Sequence, residues 1–257
     1  MRVSTSKTFR RAKDLTLGLA MLALAGCGTA QVAMKLAPEL AATTALPVVG
    51  RNLKNQLAFG QWHVVMPAPY RVDGWQFSAT PRFVPANAEL SVKAERASLE
   101  FEVVADAPGS VAASAGCLAQ GRFASYTTYH SRSTDETSVT IPGFPRLDCE
   151  FKGTRNGTLS LRPDFATQID LGEARFGAER WLVRSVNTHA NQHSNFPLTR
   201  FGYEIVHGEH VVAAVETFGA GRVWMLPELS REQQDQLSTV AAALLYYGTL
   251  LELQDAS

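Results

Sequence analysis

No Gly-x-Ser-x-Gly elbow, no Ser-x-x-Lys pair and no HExxH occurs in residues 27–257. Those gaps leave no recognisable activated serine and no zinc-hydrolase helix. Gly219-Ala220-Gly221 comes nearest to a phosphate loop, but it sits between strand-like runs with no helix start directly behind it. Cysteine is scarce too: three in 257 residues, none in Cys-x-x-Cys spacing, which excludes a thioredoxin-like redox centre. Nor does charge of one sign dominate. The chain has 24 basic and 24 acidic residues, and five of those bases and one acid fall in the first 26 positions. The remainder carries 19 Lys and Arg against 23 Asp and Glu, a net charge of about −4. With no basic stripe to meet phosphates, nucleic acid is not expected as a partner.

What is present is most explicit at the N-terminus. Arg2, Lys7, Arg10, Arg11 and Lys13 form a basic leader, and residues 15–25 (LTLGLAMLALA) an apolar run. At about 1.5 Å per residue the run is too short for a hydrocarbon core roughly 30 Å thick, so it reads as a cleaved export signal. Leu24-Ala25-Gly26-Cys27 closes it. These four residues resemble the lipobox of bacterial lipoproteins. The resemblance implies a diacylglyceryl group on the Cys27 sulfur, cleavage before Cys27, and a membrane anchor of two or more acyl chains, which holds where one chain would not. An ordinary signal with an unrelated terminal cysteine is the alternative. In the enterobacterial sorting rule an Asp after the cysteine retains a lipoprotein in the inner membrane; Gly28 implies the outer membrane, facing the periplasm.

Residues 27–56 therefore read as acylated terminus and tether, since 28–50 are rich in Ala, Thr and Pro with two charges. Residues 57–257 read as one β-rich globular domain. Cys117 and Cys149 remain as an even pair in an oxidising compartment, a candidate disulfide; two separate buried thiols are the alternative.

From Leu57 to Met225 the chain alternates short Val-, Phe-, Tyr-, Trp- and Thr-rich runs with turn residues. Ala58–Val65 reads as one strand, and Asn156-Gly157 as a two-residue hairpin turn. Ser230 with Gln233 has capping-box spacing for a helix over 230–253. That helix includes VAAALLYYGTLL (240–251), twelve residues without charge. Apolar on every side, it must be surrounded on every side. The expected fold is mainly β, an antiparallel barrel or sandwich with one hydrophobic C-terminal helix, which a barrel would enclose. The meander and helix over 202–251 resemble the tubby-like fold, shared with LURP-one-related proteins and phospholipid scramblases. That resemblance implies a closed barrel threaded by the C-terminal helix. An internal echo of 99–115 (LEFEVVADAPGSVAASA) in 201–216 (FGYEIVHGEHVVAAVE) fits the duplication in those folds.

Candidate chemistry is thin. His189 and His193 are weak metal candidates in a loop rich in Asn and Ser, while His207 and His210 flank a hairpin tip. Asp135-Glu136 and Asp148 with Glu150 are carboxylate pairs of a kind that chance also supplies. Trp62, Trp75, Trp181 and Trp224 are expected in the core or around an apolar cavity. No cofactor is implied and no catalytic residue can be named. The expected function is a non-enzymatic envelope lipoprotein, attached to the membrane through its N-terminal lipid and binding a protein or an apolar ligand. Lipid handling of tubby or scramblase type, and a hydrolase without a recognisable motif, are the alternatives.

Overall fold

A computed structural model describes residues 34–51, 56–67, 71–79, 88–106, 113–129, 136–141, 145–153, 155–164, 166–167, 169–190 and 200–255. The signal, Cys27 and His193 lie outside them.

Among the described residues fourteen antiparallel strands follow one another: β1 (Leu46–Val49), β2 (Gln56–Phe59), β3 (Trp62–Val65), β4 (Arg71–Ala79), β5 (Ala88–Ala105), β6 (Ala113–Tyr129) and β7 (Glu136–Ile141) come first. Then come β8 (Arg146–Lys152), β9 (Gly157–Asp164), β10 (Ile169–Phe176), β11 (Glu179–Val186), β12 (Gly202–His207), β13 (His210–Glu216) and β14 (Arg222–Met225). Twelve of them close a barrel in the order β1-β2-β3-β5-β6-β8-β9-β10-β11-β12-β13-β14, with β14 pairing back onto β1. Apart from the excursions β4 and β7, the barrel is a plain meander. The sandwich alternative is thereby excluded. The two echoing segments are the hairpins β5–β6 and β12–β13, and they occupy opposite walls, with four strands between them on either side.

The interior follows from strand alternation. Inward positions such as Leu57, Trp62, Phe101, Phe151, Leu161 and Val183 are buried, while neighbours such as Glu102, Arg146 and Arg180 face water. Helix α1 (Arg231–Asp255) occupies the space they surround. It packs on β13 and, across the barrel, on β5, β6 and β8. Leu237 through Leu250 are all buried. The expected capping box forms: the Gln233 N–H donates to Ser230 Oγ at 3.2 Å, and the Ser230 N–H donates to Gln233 Oε1 at 3.0 Å. At the entry rim Trp62 Nε1 donates to Asp235 at 3.0 Å, and Arg155 pairs with Glu232. At the far rim the Arg51 guanidinium donates to Thr249 Oγ1 at 3.1 Å and to the Gly219 carbonyl at 2.8 Å. Gly248 lies so close to the wall that a Cβ there would meet Thr217 Cβ at 2.6 Å. No helix among the described residues is long and apolar enough to cross a membrane.

Three expectations are corrected. The tether over 27–56 ends by Met34 at the latest, because the chain from there onward is built into the barrel. Met34 bridges to His189, the Lys35 N–H donates to the Thr188 carbonyl at 3.0 Å, a 3-10 turn over Pro38–Leu40 packs on β13, and β1 is a wall strand. Residues 34–45 thus form a strap over the outside of β12–β14. This explains why β12 and β13 read as nearly continuous apolar runs: helix covers one face and strap the other. Secondly, Ala58–Val65 is two strands, β2 and β3, turned at Gly60, whose φ of 57° suits glycine. Thirdly, Gly157 is the first residue of β9, paired with Phe151 and Phe176, so the β8–β9 turn precedes it.

Cys117 and Cys149 face each other on β6 and β8 and form a disulfide, with the S–S bond at 2.08 Å and both side chains buried. It closes a loop of 32 residues. In the chain-entropy treatment such a loop stabilises by about 3–4 kcal/mol. Reduction, or the pair Cys117→Ala/Cys149→Ala, is therefore expected to lower unfolding free energy by about that amount in urea denaturation. An unchanged midpoint would show that the wall pairing already supplies the constraint.

Candidate functional site

The polar groups gather at the barrel end where the strap enters and α1 leaves. Asp170, near the start of β10, has no exposed surface. Arg200, just before β12, lays its guanidinium on both carboxylate oxygens; the Nη2 contact is 2.9 Å. Tyr203 Oη donates to the same carboxylate at 3.2 Å. The Asp170 N–H donates to Ser185 Oγ at 2.8 Å, and the Ser185 hydroxyl donates to Asn187 Oδ1 at 3.2 Å. Burial opposes the charge on Arg200, but the Asp170 carboxylate more than offsets it and holds the guanidinium protonated.

Nearby, Glu216 at the end of β13 is buried and accepts the Met34 N–H at 2.9 Å, with Arg222 at 3.6 Å. Burial pushes the Glu216 carboxyl above the usual range; Met34, Arg222, Arg51 and His189 pull it back in part. The strap is thus fastened at its first described residue by a carboxylate from the barrel. Between strap and wall a cleft of about 530 Å³ opens, lined by Lys35, Pro38, Arg184, Asn187 and Glu204 among others. Within it Arg184 and Glu204 are paired at 2.9 Å.

Tyr203, Tyr246 and Tyr247 are buried around the helix, and burial is the leading reason that each phenol is held well above its ordinary pKa. A phenol pKa raised on folding gives stability that is complete below pH 10 and is lost as the pH climbs past it. Alkaline unfolding is the expected result. The tyrosinate absorbance of these three, half of the six in the chain, should rise together with loss of near-ultraviolet circular dichroism. Their titration in a protein that keeps its dichroism would overturn this.

The described histidines do not converge. His189 lies at the strap end, edge-on to Phe201 with ring centres 5.7 Å apart. His207 and His210 turn the β12–β13 hairpin at Gly208, and the His207 ring lies 4.7 Å from that of Trp181. Among the described residues no group of three His, Cys, Asp or Glu is placed to hold a metal. Asp148 is held by Arg162 at 2.7 Å and by Arg146 at 3.4 Å, so it is engaged as an ion-pair partner. Glu150 lies on the same outer wall. Asp135 and the Glu136 side chain lie outside the described residues. Trp62 and Trp181 belong to the core around α1, and Trp224 is buried on β14. A further cleft of about 500 Å³ opens on the wall over Gly116, Glu100 and Glu150.

The sequence reading missed Asp170 and Arg200 because the two lie 30 positions apart; an unremarkable Ile-Asp and Thr-Arg are the only local traces. Compared with known proteins, the chain matches no family model, no curated protein and no solved structure.

Proposed function

We propose that this is a lipid-anchored protein of the bacterial cell envelope, held through Cys27, that works by binding at its outer surface rather than by catalysis. The strap carries the reading: seven residues after the lipobox cysteine the chain is clipped to one rim of the barrel by Glu216 and Thr188. At most about 25 Å of extended chain separates Cys27 from that clasp. The occupied interior favours the exterior as the binding region, since an apolar ligand of ordinary size would compete with the chain's own helix.

The test is mass spectrometry on protein extracted from membranes of a bacterial host. A chain beginning at Cys27 and carrying diacylglyceryl mass is expected. An unacylated chain beginning elsewhere overturns the anchor. A native spectrum that retains several hundred extra daltons, lost on denaturation, overturns the exterior binding region.

A second reading is lipid handling of the tubby or scramblase type. It is favoured by a barrel threaded by its C-terminal helix and by the two echoing hairpins on opposite walls. Lipid movement in vesicles containing the protein would support it, and its absence would leave the first reading alone.

A further inference from the structure

Strands β5 and β6 are much longer than the barrel wall. In the wall β5 pairs with β3 through 102–105, and β6 with β8 through 114–120. Past Ala97 and Gln120 the two continue out of the barrel together, joined by β4 on one side and β7 on the other. The nine residues 88–96 at about 3.3 Å each carry this four-stranded sheet roughly 30 Å beyond the rim. It leaves from the end where α1 finishes, since Ala97, Gly121, Tyr247 and Leu250 adjoin one another there. The strap enters at that same end.

Register sorts the sheet into two unlike faces. Trp75, Phe77, Val92, Leu90, Val139 and Ile141 share one face with Ala124 and Tyr126. Gln76, Ser78, Lys93, Ser91, Ser125 and Thr140 share the other with Phe123, a single large apolar residue among polar ones. On the apolar face the charges are Arg71, Asp73, Arg96 and Arg122, the last in the same row as Trp75, and among the described residues no charged residue of this face is placed farther out. The pattern also changes phase. In the wall the buried residues of β5 are Ala97, Leu99, Phe101 and Val103, whereas outside it the apolar ones are Leu90, Val92 and Ala94. The apolar face of the extension therefore continues the water-facing side of the barrel.

We propose that this face seats on the lipid bilayer that carries the Cys27 anchor. The proposal rests on the anchor reading above, and the chain supplies the distance. Seven residues from Cys27 to Met34 reach at most about 25 Å, which brings the bilayer within the span of a sheet projecting roughly 30 Å from the same rim. A face with Tyr126 and apolar residues in its outer rows, Trp75 level with Arg122, and the remaining charges nearer the barrel has the composition of an interfacial contact.

The experiment uses the mature acylated protein in phosphatidylethanolamine–phosphatidylglycerol vesicles with brominated acyl chains, which quench tryptophan only at short range. Quenching is expected in the wild type and is expected to vanish in Trp75→Phe, because Trp62, Trp181 and Trp224 belong to the barrel. Phe77→Asp/Ile141→Asp, which keeps Trp75, is expected to reduce quenching several-fold while the near-ultraviolet dichroism of the barrel persists. Equal quenching in wild type and Trp75→Phe overturns the proposal. So does its absence in acylated protein, including the case where cross-linking shows a second copy or another protein on this face. If mass spectrometry finds Cys27 unacylated, the anchor reading fails by itself. Quenching of the same protein added to the vesicles then decides the face separately.

Discussion

A chain ending at Ser230 is expected to yield no folded barrel, and Ala242→Asp within the full chain is expected to do the same. The reason lies in what α1 does. Its side chains between Leu237 and Leu250 form the inner half of the only core among the described residues, against which Phe101, Leu161, Trp181 and Val183 pack. Without it the inward face of every wall strand meets water. An aspartate at Ala242, which has no exposed surface, has no partner there and cannot reach solvent. Milder changes grade the effect. Leu237→Ala and Leu244→Ala should each cost about 2–5 kcal/mol, the range for a buried leucine that leaves a cavity. Against the roughly 5–15 kcal/mol that holds a typical domain, the two together bring the protein to the edge of unfolding. Urea denaturation measures the single variants, and recovery in the soluble fraction measures the truncation. A soluble, cooperatively unfolding chain that lacks α1 would mean that the barrel closes without it.

Arg200→Ala is the second large effect, expected at about 3–5 kcal/mol, because it strands the Asp170 carboxylate in the interior. Tyr203 and Ser185 remain beside Asp170, but neither brings positive charge. The double variant Asp170→Leu/Arg200→Met is expected to recover most of the loss, since a packed apolar pair can replace a buried ion pair. A cost below about 1 kcal/mol, or a double variant no better than the single, would show that the pair is held by the fold instead of holding it.

The sequence made α1 legible because its signal is local and one-sided: twelve residues without charge admit few environments other than enclosure. The disulfide was legible for a similar reason, as two cysteines remained once Cys27 was set aside. Harder cases had their causes elsewhere in the chain. Residues 46–49 (LPVV) carry a proline and follow an Ala- and Thr-rich stretch, and only the partners β2 and β14 make them a strand. Strand β10 is interrupted in sequence by Gly172, which sits where a Cβ would meet the Ser160 carbonyl at 2.2 Å. The glycine that weakens its pattern is the residue that lets β9 and β10 approach. The outer part of β5 was not legible as strand, since its apolar positions are out of phase with those of the wall. Asp170 and Arg200 gave no sequence signal, because the pairing of two charges in a buried setting is a property of the closed barrel.

The strap also determines how the molecule bears a pull. Tension arriving along the N-terminal chain is delivered first to Met34 and Lys35, whose bonds to Glu216 and Thr188 form a short clasp. Once the clasp and the turn behind it yield, the load passes to β1, which is the seam strand joining the first part of the meander to β14. The barrel would therefore open like a cut hoop at one line, exposing α1 before any other wall is disturbed.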